Sequence, residues 1–158
     1  MNENTEILIL GTLPSDKSLA AQQYYANPSN DFWKLMGSAL DQSFEGLSYE
    51  AKVELLKDKR IGLWDAYYAC YRPGSMDKDI AEKEPNAFTV LKDVAPRVRL
   101  VYFNGAAAAE QEESLIRLGY QTCLLPSSSG ANRRDRQRRL VCWKAAIQDY
   151  ICPEHEDD

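Results

Sequence analysis

The chain has 158 residues, 44% apolar and 27% charged, enough for one hydrophobic core and too few for two ordinary domains. No apolar run approaches the ~20 residues of a membrane helix, and the acidic, polar start from Met1 to Glu6 lacks the basic region of a secretory signal, so a cytoplasmic protein is expected, nucleoid-associated if bacterial. A net charge of −5 excludes a protein that coats nucleic acid, though not one that touches it over a small footprint.

In chain order, Glu6-Ile7-Leu8-Ile9-Leu10-Gly11 is an apolar run ended by Gly and then Pro14, which predicts a buried strand entering a loop. Asp31 to Leu40 carries apolar residues at helical spacing, as does Ser48 to Lys57. Ile61-Gly62-Leu63-Trp64 and Leu100-Val101-Tyr102-Phe103 are the second and third strand-like runs. The alanine-rich stretch Ala106 to Leu118 reads as a helix with Gly119 as its C-cap. Thr122-Cys123-Leu124-Leu125 is a fourth strand, stopped by Pro126, and Asn132 is placed to cap a final helix. Strands apolar on both faces and alternating with helices imply an α/β fold: a three-layer α/β/α sandwich around a mainly parallel four-stranded sheet. One domain over residues 1–152 is expected, followed by a disordered acidic tail, Pro153 to Asp158.

Cys70, Cys123, Cys142 and Cys152 form no CxxC pair, so neither a metal nor any other cofactor is expected, and free, mostly buried thiols are. The charge is unevenly spread. Arg133, Arg134, Arg136, Arg138, Arg139 and Lys144 face only Asp135 in the stretch Ala131 to Lys144, a local +5 on an acidic body. Ligands of open parallel sheets bind beyond the carboxyl ends of the strands, where three loops converge: Gly11 to Ser18, Asn104-Gly105, and Pro126 to Arg134. The serine-rich loop offers hydroxyls, a flexible glycine and backbone amides suited to phosphate.

Six motifs lie in order along the chain. They are G-T-L-P-S-x-x-S from Gly11, Y-Y-A-x-P-x-N-x-F-W from Tyr24, G-L-W-D from Gly62, R-P-G-S-M-D from Arg72, F-N-G from Phe103 and L-P-S-S-S from Leu125. Together they resemble the hypoxanthine-DNA glycosylase branch of the uracil-DNA glycosylase superfamily, over Ile7 to Trp143. The resemblance implies a base-excision enzyme that hydrolyses the glycosidic bond of a deaminated base, with double-stranded DNA as partner and a monomeric state. Gly11, Thr12, Leu13, Pro14 and Ser15 would line the base pocket, and their backbone would hold the attacking water. Tyr25 would stack on the flipped base, Asn30 would be catalytic, and Asn104 would read the base edge. Ser15, Ser18 and the loop Ser127, Ser128, Ser129, Gly130, Ala131, Asn132, Arg133, Arg134 would grip the DNA. Residue chemistry agrees with these roles. An extruded base needs a π-face to rest on and a side chain that can both donate and accept.

Two positions depart from the pattern. Leu13 stands where some relatives carry a water-positioning Asp or Asn, which makes Asn30 the leading catalytic candidate. Gly130 stands where the hypoxanthine branch is expected to have proline, and it resembles the wedge of mismatch-specific uracil/thymine glycosylases, the alternative substrate class. Lys17 sits in a solvent-facing loop, so a monofunctional enzyme is expected rather than one that forms a Schiff base. A serine hydrolase would need an imidazole, and the only histidine is His155 in the tail. No G-x-G-x-x-G or G-x-x-x-x-G-K-[ST] supports a nucleotide-binding module. A DNA-binding protein that kept the scaffold without catalysis is the non-enzyme alternative.

Overall fold

A computed structural model of the chain describes residues 1–13, 15–71, 81–132, 134–150 and 152. The elements run β1 (Ile7–Gly11), α1 (Asp16–Ala21), α2 (Phe32–Leu40), α3 (Tyr49–Asp58), β2 (Ile61–Asp65), β3 (Tyr67–Tyr71) and β4 (Ala81–Pro85). They continue with α4 (Leu91–Val94), β5 (Leu100–Asn104), α5 (Glu112–Arg117), β6 (Gln121–Leu125) and α6 (Arg136–Asp149). The four expected strands form one parallel sheet in the order β2-β1-β5-β6. The central pair, β1 and β5, is buried along its whole length, which is why those strands read as unbroken apolar runs.

Alternation along the strands sorts the core into two layers. Ile7, Ile9 and Tyr102 face one side, where they meet Phe32, Leu35 and Met36 of α2 and Trp143, Ala146 and Ile147 of α6. Leu8, Leu10, Val101 and Phe103 face the other, against Phe88, Leu91 and Leu115. The result is the expected α/β/α sandwich. Tyr102 is fully buried and donates its hydroxyl to the Ala146 carbonyl at 2.7 Å, tying the sheet to α6.

Several local expectations change. The Ala106 to Leu118 stretch opens with a 3-10 turn at Ala108–Gln111 before α5, because Gly105, at φ +95°, first turns the chain off β5. Gly119, at φ +94°, follows α5 as expected of a terminating glycine. The N-cap of α6 is Asp135, not Asn132. The Asp135 carboxylate accepts the Arg138 N–H at 2.9 Å, and its charge suits the positive helix end. Asn132 instead donates its amide to the Ser127 carbonyl at 2.9 Å. The antiparallel β3–β4 pair was not anticipated, since its residues show no clean alternation.

The cysteine expectation is corrected in part. Cys123 and Cys152 are joined in a disulfide with Cα atoms 5.6 Å apart, a pairing of distant positions that sequence spacing does not reveal. Cys142 is a free, buried thiol. The Cys70 side chain, the R-P-G-S-M-D motif and the tail from Pro153 lie outside the described residues. No helix among the described residues is long and apolar enough to cross a membrane.

Replacing Tyr102 with Phe leaves the Ala146 carbonyl without this partner at constant packing. Urea unfolding of Tyr102→Phe is expected to show a loss of about 1 kcal/mol.

Candidate active site

The carboxyl ends of the parallel strands surround a cavity of about 290 Å³. Gly11, Thr12, Leu13, Ser15 and Ser18 line it from the first loop, Tyr25 and Asn30 from the segment before α2, and Asn104 from the end of β5. Ser127, Ser128 and Ser129 close it. Most of the residues named from sequence thus converge on one space, as the strand-end rule for parallel sheets requires. Pro14 and Arg133 lie outside the described residues. Gly130, Ala131, Asn132 and Arg134 do not line this cavity; Ala131 and Asn132 face a neighbouring groove with Arg138.

Ser128, only 1% exposed, is the hub. Its N–H donates to Asn104 Oδ1 at 2.8 Å, and its Oγ accepts from Asn104 Nδ2 at 2.8 Å. The same hydroxyl donates to Asn30 Oδ1 at 2.8 Å. These bonds fix both amide orientations, because a backbone N–H must meet an oxygen. Asn104 Nδ2 gives its other proton to Tyr25 Oη at 3.1 Å, so both of its N–H bonds are committed. Asn30 Oδ1 also accepts the Phe32 N–H at 2.9 Å, holding the start of α2 much as an N-cap would. Its Nδ2 is left as the free donor of that side chain.

Tyr25 sits at φ +55°, a left-handed conformation that is strained for a bulky residue. It is held there by Phe32, whose ring stacks on it at 3.9 Å and 19°, and by Asn104. Phe32 thus covers one face of the ring, and Tyr25 also lines the cavity. Burial holds its phenol well above the usual range, and the same cause raises Tyr24 to about 12, so both rings stay neutral.

A buried ion pair supports this arrangement. Arg139, 5% exposed, meets Asp31 Oδ2 at 2.5 Å, and its other terminal nitrogen donates to the carbonyls of Ser127, Ser129 and Asn132. Arg139 therefore leaves the basic surface counted from sequence, while Arg134, Arg136 and Arg138 remain exposed beside the loop. Trp143 Nε1 adds a bond to the Pro126 carbonyl at 2.8 Å. The N–H groups of Ser128, Ser129, Ala131 and Asn132 all have internal partners, so these four are not waiting for phosphate. Ser15 and Ser18 likewise have structural work. Ser15 caps α1, and the Ser18 hydroxyl accepts the Ala26 N–H at 3.2 Å.

Gly130 has a packing explanation. A Cβ there would lie 2.3 Å from the Ser29 carbonyl oxygen, so only glycine lets the serine loop approach the Asn30 segment. Sequence reasoning missed Asp31 and Arg139, whose pairing spans 108 residues, and Asp65. Asp65 ends β2, is 8% exposed and lines the cavity, and burial raises its carboxyl to about 6. Its signal was present: an acidic residue ending an apolar strand of a parallel sheet.

The profile described as "Uracil DNA glycosylase superfamily" matches residues 1–150. The chain belongs to the uracil-DNA glycosylase superfamily. A curated relative from Methanosarcina acetivorans, named hypoxanthine DNA glycosylase, is 51% identical over 94% of each chain. Another of the same name from Methanosarcina barkeri is 47% identical, again over 94% of each. A solution NMR structure of a Methanosarcina acetivorans protein, provisionally assigned as a uracil DNA glycosylase, aligns with a TM-score of 0.82 at 50% identity. It covers 94% of this chain and 92% of that one. Within this superfamily fold, the cavity, the stacked Tyr25 and the pinned Asn30 occupy a single site.

Two variants test the scaffold of that site. Arg139→Met should destabilise the protein by about 3–5 kcal/mol in urea unfolding, since the Asp31 carboxylate loses its buried guanidinium and three loop carbonyls lose their donor. Gly130→Ala should cost about 1–3 kcal/mol by forcing the two loops apart, read as a fall in melting temperature.

Proposed function

We propose that this chain is a monofunctional DNA glycosylase that excises hypoxanthine from double-stranded DNA and acts as a monomer. The observation that carries the reading is the cavity of about 290 Å³, lined by a stacked tyrosine and a pinned asparagine, in a chain half identical to proteins named hypoxanthine DNA glycosylase.

A base in a duplex stack is out of reach, so the nucleotide is extruded into the cavity. The Tyr25 ring, which lines the cavity, receives it by stacking, a contact worth ~1–3 kcal/mol and tolerant of base identity. Arg134, Arg136 and Arg138 supply local positive charge beside the serine loop, although the protein as a whole is acidic. The reaction breaks the bond between C1′ and the base nitrogen. The electron pair leaves with the base, which takes up a proton, and water oxygen bonds to C1′.

Asn30 positions that water. Because Oδ1 is occupied by Phe32 N–H and the Ser128 hydroxyl, its Nδ2 is the group that holds the water oxygen. An oxocarbenium-like centre is electrophilic enough to accept water that is oriented without being deprotonated first. Gly11 and Thr12 turn their carbonyls toward the Ala66 and Tyr67 N–H groups, which fixes the first loop as a rigid wall. The glycine at 130 answers to packing against Ser29, so it does not by itself favour the mismatch-specific class.

The test is a duplex panel carrying hypoxanthine, uracil, xanthine or a thymine mispair, assayed by alkali-induced scission. Hypoxanthine is expected to be cleaved fastest. Asn30→Ala should lose ~10²-fold or more of single-turnover rate while still binding DNA. Unchanged cleavage would reject its role, and a borohydride-trapped adduct would reject the monofunctional course.

A further inference from the structure

We propose that the Asp65 carboxylate reads the extruded base by accepting the ring N–H that deamination creates on its Watson–Crick edge. The inference rests on the glycosylase reading above and names the group that recognises the lesion class.

Asp65 is more than nine-tenths buried, and no hydrogen bond or ion pair reaches its carboxylate among the described residues. Its backbone carbonyl has a structural task, accepting from Asn86 Nδ2 at 2.7 Å; its side chain has none. Burial of an isolated carboxyl disfavours its charged form, and burial raises the Asp65 pKa to about 6. The site is also built around it. Gly11 pairs with Asp65 across β1 and β2, and a Cβ at Gly11 would lie 2.7 Å from Asp65 Oδ1. Glycine there keeps the carboxylate free to face the cavity.

The chemistry of the lesion matches an acceptor at this place. Adenine presents a bare N1 and cytosine a bare N3. Deamination converts them to hypoxanthine N1–H and uracil N3–H. An ionised carboxylate only accepts, so it bonds to the deaminated bases and sets lone pair against lone pair with their parents. A bound N–H in turn favours the ionised form. Depth supports the assignment. In the glycosylase reading the sugar lies by Asn30, which is half-buried, and the N1 edge of a purine lies farthest from C1′. The more deeply buried Asp65 is the one that edge meets. Asn104, the residue expected to read the base, has both N–H bonds committed to Ser128 and Tyr25.

The experiment measures single-turnover excision of hypoxanthine and of unsubstituted purine, whose N1 is bare, from the same duplex position. Wild type, Asp65→Asn and Asp65→Ala are compared. The ratio of the two rates within each protein cancels the intrinsic difference between the bonds once the proteins are compared. Wild type should prefer hypoxanthine, and that preference should fall ~10–100-fold in both variants. Asp65→Asn, isosteric with the native residue, keeps the test valid should the alanine variant not fold. Where cleavage is too slow to follow, the same ratio is read from affinity for the two duplexes. A preference unchanged in the variants overturns the role of Asp65 alone. Wild type inactive on hypoxanthine overturns the glycosylase reading and this inference with it.

Discussion

The buried guanidinium of Arg139 is the interaction on which the site depends. It neutralises Asp31 at the start of α2 and gathers three carbonyls of the serine loop. One side chain from α6 thereby fixes the distance between two loops that are about a hundred residues apart in sequence. A buried pair of this kind gives weak net stabilisation, because desolvation offsets much of the attraction. What it provides here is geometry: Ser128 is delivered to Asn104 and Asn30, and the amide of Asn30 is oriented from two sides.

The remaining features show stability given up around the cavity. Tyr25 holds a left-handed backbone conformation, Asp65 is buried without a charge partner among the described residues, and Gly130 is placed where any side chain would collide with Ser29. Each is unfavourable or restrictive locally; Tyr25 and Asp65 line the cavity, and Gly130 follows Ser129 in the loop that closes it. The sandwich beneath tolerates this because β1 and β5 are buried along their length and packed on both faces. Strain collected at one site and compensated by a regular core is the pattern expected of a pre-organised binding pocket.

Much of this was readable in the sequence, and the boundary is physical. The four strands were legible because parallel strands buried on both faces leave continuous apolar runs, and the sheet order then brings their carboxyl ends together. The strand-end rule pointed to one pocket and the motif resemblance to Tyr25, Asn30, Asn104 and the serine loop; of these, Tyr25, Asn30, Asn104, Ser127, Ser128 and Ser129 line the cavity. What escaped depends on contacts far apart in the chain. Arg139 reads in sequence as one more surface arginine, and its partner Asp31 lies across the fold. Cys123 and Cys152 carry no spacing signal. Asn132 was expected to cap the last helix, and only the local turn shows that Asp135 does so while Asn132 bonds the Ser127 carbonyl. Asp65 was visible within G-L-W-D, but a carboxylate's burial and lack of a partner are properties of the folded cavity.

The central chemistry of the site is the release of an intact base. The most direct measurement is mass-spectrometric detection of the product after incubating the protein with duplex DNA that carries deoxyinosine. Free hypoxanthine in step with an unbroken abasic strand is the predicted result. Duplex that is bound but recovered with its base still attached would contradict it.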